Sequence, residues 1–117
     1  MTPEQMKQRT KLYGLRVIRL VEALPRSKVA SVIGDQLLRC GTSVGANYRA
    51  ACRVKSRADF VSKMGTVEEE ADESLYWTEL LVDAKVLGQD SVKSLQKEGS
   101  EILSIVVSSI QTARGNG

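Results

Sequence analysis

Apolar residues recur every three or four positions along most of the chain, which is the spacing of one buried helix face. Both prolines lie before residue 26, so the rest of the chain lacks the strongest helix breaker. The pattern predicts helices at about residues 3–24, 27–53, 57–87 and 91–112, followed by a disordered tail at 113–117. Long helices with short connections favour an all-α, antiparallel up-down four-helix bundle, here a single domain over residues 1–117.

Capping residues mark several helix ends. Thr2 and Gln5 fit a capping box at the start of the first helix. Ser56, with Asp59 three residues later, fits the same role at the start of the third helix. Gly88 follows the last apolar residue of the third helix, and the sequence therefore predicts that it ends that helix as the C′ residue.

The second predicted helix contains several glycines, and the first carries a row of regularly spaced apolar residues. Glycines at positions 34, 41 and 45 each cost roughly 1 kcal/mol in a helix relative to Ala. They predict that a neighbouring backbone approaches the second helix closely, and the alternative is that they break it in two. The first helix is expected to bury its regularly spaced apolar residues, namely Met6, Leu12, Leu15, Ile18, Val21 and Leu24.

The composition removes several kinds of catalytic site, although it leaves open an enzyme that uses carboxylates or Lys. The chain of 117 residues contains no histidine, which excludes Ser-His and Cys-His nucleophile pairs, and it has no GxxxxGK[ST] loop. The acidic run from Glu68 to Glu73 is expected to be solvated or paired rather than to hold a metal, and we predict a non-enzymatic protein without cofactors. Cys40 and Cys52 would lie about 18 Å apart on one helix, too far for a disulfide. No signal peptide is evident and no apolar run reaches the ~20 residues of a membrane span, so we expect a cytoplasmic protein.

The charge is divided unevenly along the chain. Residues 1–57 carry 12 Lys and Arg against 3 acidic residues, whereas residues 58–117 carry 5 against 11. A basic half favours either a phosphate-rich partner or the acidic half of the protein itself. The residues predicted to bind nucleic acid are Arg49, Arg53, Lys55 and Arg57, with Arg16 and Arg19 in support. Because aromatic residues are scarce near them, sequence-specific binding is not expected.

Two further sets of residues predict contacts within or between subunits. A polar row on the second helix is expected to form a structural network with acidic residues of the third, and a functional site is the alternative. The members of this network are Gln36, Arg39, Ser43, Asn47, Glu70 and Glu73. Tyr76, Trp77 and Leu80 are expected to turn away from the core and to form an oligomer interface, with Trp77 as its anchor.

Four segments carry a resemblance to a known family: QLLR at 36–39, NYR at 47–49, RADF at 57–60 and VEEEADESLYWTELL at 67–81. With them the chain resembles the bacterial four-helix-bundle proteins encoded in intervening sequences of 23S rRNA genes, which are sometimes labelled S23 ribosomal proteins. The same family includes the accessory variability determinant protein of diversity-generating retroelements. The resemblance covers nearly the whole chain.

The resemblance implies an antiparallel four-helix bundle that assembles as a ring-shaped homopentamer. The retroelement relatives imply binding of nucleic acid with little sequence preference. We therefore expect a sequence-independent RNA-binding accessory protein. The alternative is a scaffold oligomer that binds a protein partner and has no nucleic-acid role.

Overall fold

The computed structural model describes residues 1–115, which form four helices and no strand. These are α1 (Pro3–Glu22), α2 (Lys28–Ala51), α3 (Arg57–Asp83) and α4 (Gln89–Ala113). Each helix packs against its two neighbours in the order α1, α2, α3, α4 and back to α1. The longest dimension is 45 Å and the other two are 21 and 20 Å, the shape of one long helix in length and two helices in width. The all-α bundle predicted from the sequence is confirmed.

Side-chain caps begin three of the helices. Thr2 and Gln5 form the predicted capping box, with the Thr2 Oγ1 accepting from the Gln5 N–H at 3.1 Å and the Gln5 Oε1 accepting from the Thr2 N–H at 2.9 Å. The Ser27 Oγ accepts from the Ala30 N–H, and the Ser56 Oγ accepts from the Asp59 N–H at 3.0 Å. Local capping chemistry therefore fixes where these helices start.

The end of α3 corrects the role predicted for Gly88. The helix ends at Asp83, and Lys85 adopts the left-handed conformation with φ of 61°. The Val86 N–H then donates to the Leu81 carbonyl at 2.9 Å, closing a Schellman motif. Gly88 instead precedes α4 as its N-cap. The prediction was wrong because the burial of the half-buried Val86 and Leu87 against the core selected an earlier stop, although Lys is a poor residue for positive φ.

The C-terminal tail was predicted to start too early. Helix α4 continues to Ala113, and Arg114 is its C-cap. The remainder of the predicted disordered segment, residues 116–117, lies outside the described residues. The other helices α1 and α2 each end two residues before the position predicted from the sequence.

The buried face of α1 differs from the predicted one. Tyr13 and Val17 enter the core beside Met6, whereas the side chains of Leu12 and Leu15 are 56% and 42% exposed. The reason is that the small residues of α1, Thr10 and Gly14, turn toward α2, and this orientation carries the two leucines to the outside. Val21 and Leu24 keep partial contact with the core as expected.

The contact between α1 and α2 is close enough to require glycine. A Cβ on Gly45 would lie 3.2 Å from the carbonyl carbon and oxygen of Thr10, and one on Gly41 would lie 2.7 Å from a methyl of Val17. Helix α2 runs unbroken through both positions. The predicted close approach is confirmed, and the alternative of a broken second helix is not what the chain adopts.

Candidate nucleic-acid interface

The basic residues predicted to bind nucleic acid extend across the end of α2. Arg49 lies in the last turn of α2, Arg53 and Lys55 in the connection, and Arg57 at the start of α3. All four side chains are exposed. We call residues 49–57 the basic segment. Since α2 stops at Ala51, the four cations follow the connection instead of one continuous helix face.

A groove between α1 and α2 brings further cations to this segment. The groove has a volume of about 560 Å³, and Lys7 and Lys11 of α1 line it together with Arg49 and Arg53. Small side chains form its walls, among them Thr10, Gly14, Thr42, Gly45 and Ala46. Four cations, from α1, from α2 and from the connection that follows α2, therefore line one depression, which we call the α1/α2 groove.

Sequence reasoning missed Lys7 and Lys11, although a signal for them existed. Glycines in α2 predicted a close neighbour. Because Gly45 lies against Thr10, the next turn of α2, which carries Arg49, lies beside the turn of α1 that carries Lys7. Only the packing of the two helices reveals that pairing. The sequence gives no register between helices that are 30 or more residues apart.

Most cations of the groove remain outside ion pairs. Among residues 1–115, Lys7 forms an ion pair with Glu4 at 3.6 Å, but Lys11, Arg49 and Arg53 form none. Charges that are not neutralised by the protein are available to an anion, because phosphate must then displace only water and counterions.

Arg9, by contrast, is neutralised within the bundle. Its Nε donates to Glu98 at 2.7 Å and its Nη2 donates to Glu101 at 2.9 Å. The Arg9 guanidinium holds the pKa of the Glu98 carboxyl below its ordinary value, mainly through that hydrogen bond. This half-buried cluster ties α1 to α4 and carries no spare positive charge for a ligand.

The two supporting arginines do not line the groove. The Arg16 guanidinium points toward α4, where its Nη2 donates to the Ser94 Oγ at 2.8 Å. Arg19 is exposed on α1. The structure therefore separates these two residues from the α1/α2 groove.

Part of the predicted polar network lies between α2 and α3. Arg39 donates to Glu70 at 3.3 Å and also forms an ion pair with Glu73. The Trp77 Nε1–H donates to the same Glu73 carboxylate at 3.0 Å. The cluster is partly exposed, with half of the Arg39 side chain in solvent, so its ion pairs contribute modestly to stability.

The remaining members of that row bond within α2. The Ser43 Oγ donates to the Arg39 carbonyl at 2.7 Å, and the Asn47 Nδ2 donates to the Ser43 carbonyl at 2.9 Å. The Gln36 side chain is half-buried on α2. The structure thus brings Arg39 to Glu70 and Glu73 but leaves the other three polar side chains out of the contact.

The aromatic pair of α3 is only partly turned outward. Trp77 and Leu80 pack against the core, which corrects the prediction that both turn away from it. Tyr76 is 53% exposed, and its ring meets that of Trp77 edge to face with 5.1 Å between centroids. Glu73, one turn earlier on α3, accepts a hydrogen bond from the indole of Trp77, so Trp77 lies against the core and Tyr76 is the outward residue.

Metal ligands and the reactivity of the buried thiol can be judged from the described residues. Over residues 1–115 no three His, Cys, Asp or Glu side chains are grouped so that they could hold a metal ion. Burial raises the pKa of the Cys40 thiol to about 12, which suppresses its thiolate. None of the described helices is long and apolar enough to cross a membrane.

Comparison with known proteins places this arrangement in a family. The model of the 23S rRNA-intervening sequence proteins matches residues 4–108. The chain belongs to this family. The crystal structure of a protein with unknown function from the S23 ribosomal protein family of Bacteroides thetaiotaomicron is similar, with 32% sequence identity to this chain. The similarity covers 95% of this chain and 99% of that one, with a TM-score of 0.87. Among curated proteins nothing matches the chain.

Proposed function

We propose that this 23S rRNA-intervening sequence protein is a non-enzymatic, oligomeric accessory protein that binds RNA without sequence preference in the cytoplasm. The observation that carries the proposal is the α1/α2 groove, where Lys7, Lys11, Arg49 and Arg53 surround one depression. Lysine and arginine bind phosphates, and arginine does so through two parallel hydrogen bonds.

The lining of the groove indicates which part of the nucleic acid is bound. Its described residues include aliphatic, hydroxyl and charged side chains but no aromatic ring. Proteins that bind unpaired bases usually stack them on aromatic side chains. Contacts to phosphates fix position without selecting sequence. We therefore expect binding to the backbone of structured RNA, with Lys55 and Arg57 extending the contact beyond the groove.

We further propose that the protein forms a homo-oligomer, a pentamer as the family resemblance implies. Several copies of the α1/α2 groove on one assembly would raise the effective concentration of binding sites, so that weak single contacts produce useful avidity.

The test is the salt dependence of binding, measured by fluorescence anisotropy with a labelled structured RNA. The variant is Arg49→Glu/Arg53→Glu. The matched control is Lys93→Glu/Lys97→Glu, which reverses two exposed cations at the same spacing on α4. Since both variants change the net charge equally, a difference between them reports the location of the site.

We expect the affinity of the unchanged protein to fall log-linearly with salt. The groove variant should weaken binding at least tenfold and reduce the magnitude of the salt slope by about 2, one for each lost phosphate contact. The control should retain most of the slope. Equal effects of the two variants would remove the groove from the proposal.

A scaffold that binds a protein partner is the second candidate. It is favoured by the exposure of Leu12 and Leu15 on α1, because large apolar side chains grouped on a surface mark interaction sites. The absence of RNA binding even at low salt would support this function over the first.

A further inference from the structure

A pocket opens at the end of the bundle where α1 and α3 begin and where α2 and α4 end. Residues from all four helices line it, and we call it the end pocket. Its volume of about 940 Å³ lies within the range of sites that hold small molecules, about 300–1,000 Å³. The end pocket is therefore large enough for a ligand of its own, apart from the α1/α2 groove.

The wall of the end pocket is mainly apolar. The chain has three methionines, and all three line this pocket, namely Met1, Met6 and Met64. Phe60 and Ile105 line it with them. Methionine side chains are unbranched and flexible, so they adapt to the shape of an apolar ligand. Among residues 1–115 no Asp or Glu contributes to the lining, and an apolar or anionic group meets no negative side chain there.

One polar group opens into the pocket without a strong partner. Tyr48 lines the pocket and is only 7% exposed. Within residues 1–115 its hydroxyl forms no hydrogen bond with a nitrogen or oxygen atom, whereas every wholly buried polar side-chain atom there has a partner. The hydroxyl therefore reaches the open space of the pocket. Burial, with a smaller contribution from the Cys52 thiol, raises the pKa of Tyr48 to about 12, so the group stays protonated and can donate.

Lys7 is the only charged side chain of residues 1–115 in the lining. It lies at the same level of the bundle as Tyr48. Gly45 of α2 lies against Thr10 of α1. Tyr48 follows the first of these residues by three positions, and Lys7 precedes the second by three on the neighbouring antiparallel helix. The ion-pair partner of Lys7 is Glu4, whose side chain is 77% exposed at 3.6 Å, and such an exposed pair is weak enough for a ligand carboxylate to replace it.

We infer that the end pocket binds a fatty acid of medium chain length. The alkyl chain lies against the methionines and Phe60, and the carboxylate accepts hydrogen bonds from the Tyr48 hydroxyl and the Lys7 Nζ. Helix α4 borders the pocket from Ser104 to Ala113, a length of about 14 Å at 1.5 Å per residue, which suits an extended chain. The head group is an anion because the one charged side chain of the lining is a cation.

This inference does not depend on the binding of RNA. Lys7 lies between the two depressions and lines both. Lys11, Arg49 and Arg53 line the α1/α2 groove and not the end pocket. Three of the four cations of the groove therefore stay available to phosphates while the end pocket is filled.

The test is a titration of the full chain with sodium dodecanoate below its micelle concentration. Isothermal titration calorimetry gives the dissociation constant, and NMR spectra follow the ¹³C-labelled methyl groups of methionine. Because every methionine lines the end pocket, these signals report its occupancy. We expect saturable shifts of the Met6 and Met64 signals. The absence of binding, or binding that leaves both signals unchanged, would overturn the inference.

Two comparisons test the recognition of the carboxylate. Tyr48→Phe removes only the hydroxyl and should weaken the binding of dodecanoate about tenfold, the loss expected for a hydrogen bond to a charged group. Dodecanol has the same alkyl chain without the charge and should bind the unchanged protein more weakly than dodecanoate by at least that factor. Equal affinity for the alcohol and the acid would refute the anionic head group.

A filled pocket provides the remaining test. Ser108 is exposed on α4 and lines the end pocket, so Ser108→Trp should fill it and lose most of the affinity for dodecanoate. The matched control is Ser100→Trp, two turns earlier on α4 and outside the lining, which should bind normally. Circular dichroism verifies that both variants fold. Equal affinity in the two variants would place the ligand elsewhere.

A readout on the unchanged protein does not depend on any substitution. Cys52 lines the end pocket and Cys40 does not. Bound dodecanoate should therefore slow the reaction of Cys52 with a thiol reagent, as measured by mass spectrometry of the labelled peptides. Labelling of Cys52 at the same rate with and without saturating dodecanoate would contradict a ligand in this pocket.

Discussion

Replacing Gly41 by Ala tests whether the α1/α2 contact is as close as the structure shows. The added Cβ would lie 2.7, 2.8 and 3.0 Å from the Cγ1, Cγ2 and Cβ of Val17. Carbon atoms normally approach to about 3.5–4.0 Å. The Val17 Cβ is bonded directly to the backbone of α1, so rotation of the side chain cannot relieve the whole overlap. The two helices must separate locally.

The magnitude follows from two opposing contributions. Alanine in place of glycine inside a helix stabilises it by about 1 kcal/mol. Overpacking a close contact costs typically 1–3 kcal/mol, and three simultaneous overlaps place Gly41→Ala at the upper end of that range. We therefore expect a net loss of about 2 kcal/mol in the free energy of unfolding, or about 8 °C in Tm for a domain of this size.

Gly65→Ala is the matched control, because nothing lies within 4 Å of a Cβ at that position of α3. It should gain up to about 1 kcal/mol from helix propensity alone. The assay is urea and thermal unfolding followed by circular dichroism at 222 nm. All proteins are compared at one concentration, because self-association shifts apparent stability.

A second substitution tests the cause of the loss. Val17→Ala alone should cost about 2 kcal/mol as a buried large-to-small change, yet much less in the Gly41→Ala background, because it removes the two overlapping methyls. Stability of Gly41→Ala equal to that of Gly65→Ala would refute the close contact, and additive effects of the Val17 and Gly41 changes would refute the assigned cause.

Two further predictions concern titratable groups. Because Arg9 lowers the folded-state pKa of Glu98, that carboxylate stabilises the fold above its unfolded pKa, and the contribution is lost as the pH falls through the folded value. The stability difference between the unchanged protein and Glu98→Gln should therefore shrink on acidification from pH 7 to pH 3 in chemical unfolding, and a constant difference would contradict it. Cys40 is buried and Cys52 half-buried, so a thiol reagent should modify Cys52 first under native conditions. Mass spectrometry of the labelled peptides checks this order, and preferential labelling of Cys40 would contradict it.

The candidate site shows how far residue types alone can lead. Arginine at positions 49, 53 and 57 pointed to a phosphate-binding surface, and these side chains are exposed. Their partners in the groove could not be inferred, because Lys7 and Lys11 reach Arg49 only through the pairing of α1 with α2. Arg16 is the opposite case. Its position on α1 predicted phosphate binding, but its guanidinium donates to the Ser94 hydroxyl of α4.

Helix positions were determined by the sequence because their causes are local. The period of the apolar residues and the caps at Thr2 and Ser56 depend on neighbours within one or two turns, so they can be read without the fold. The C-terminal end of α3 could not be predicted from local sequence alone. Lys85 entered a conformation that its own preference disfavours, because burial of the following residues outweighed that preference.

Which face each helix buries was decided by the tertiary structure. Leucine and tyrosine are both apolar enough for a core, and the spacing of the apolar residues predicted Leu12 and Leu15 as the buried choice. Thr10 and Gly14 reversed that choice, since small residues on α1 and glycines on α2 let the two helices approach and so set the rotation of α1. The sequence determined four helices and an uneven charge, through interactions a few residues apart. Packing between distant segments decided which leucines, lysines and arginines face outward, and hence where a partner can bind.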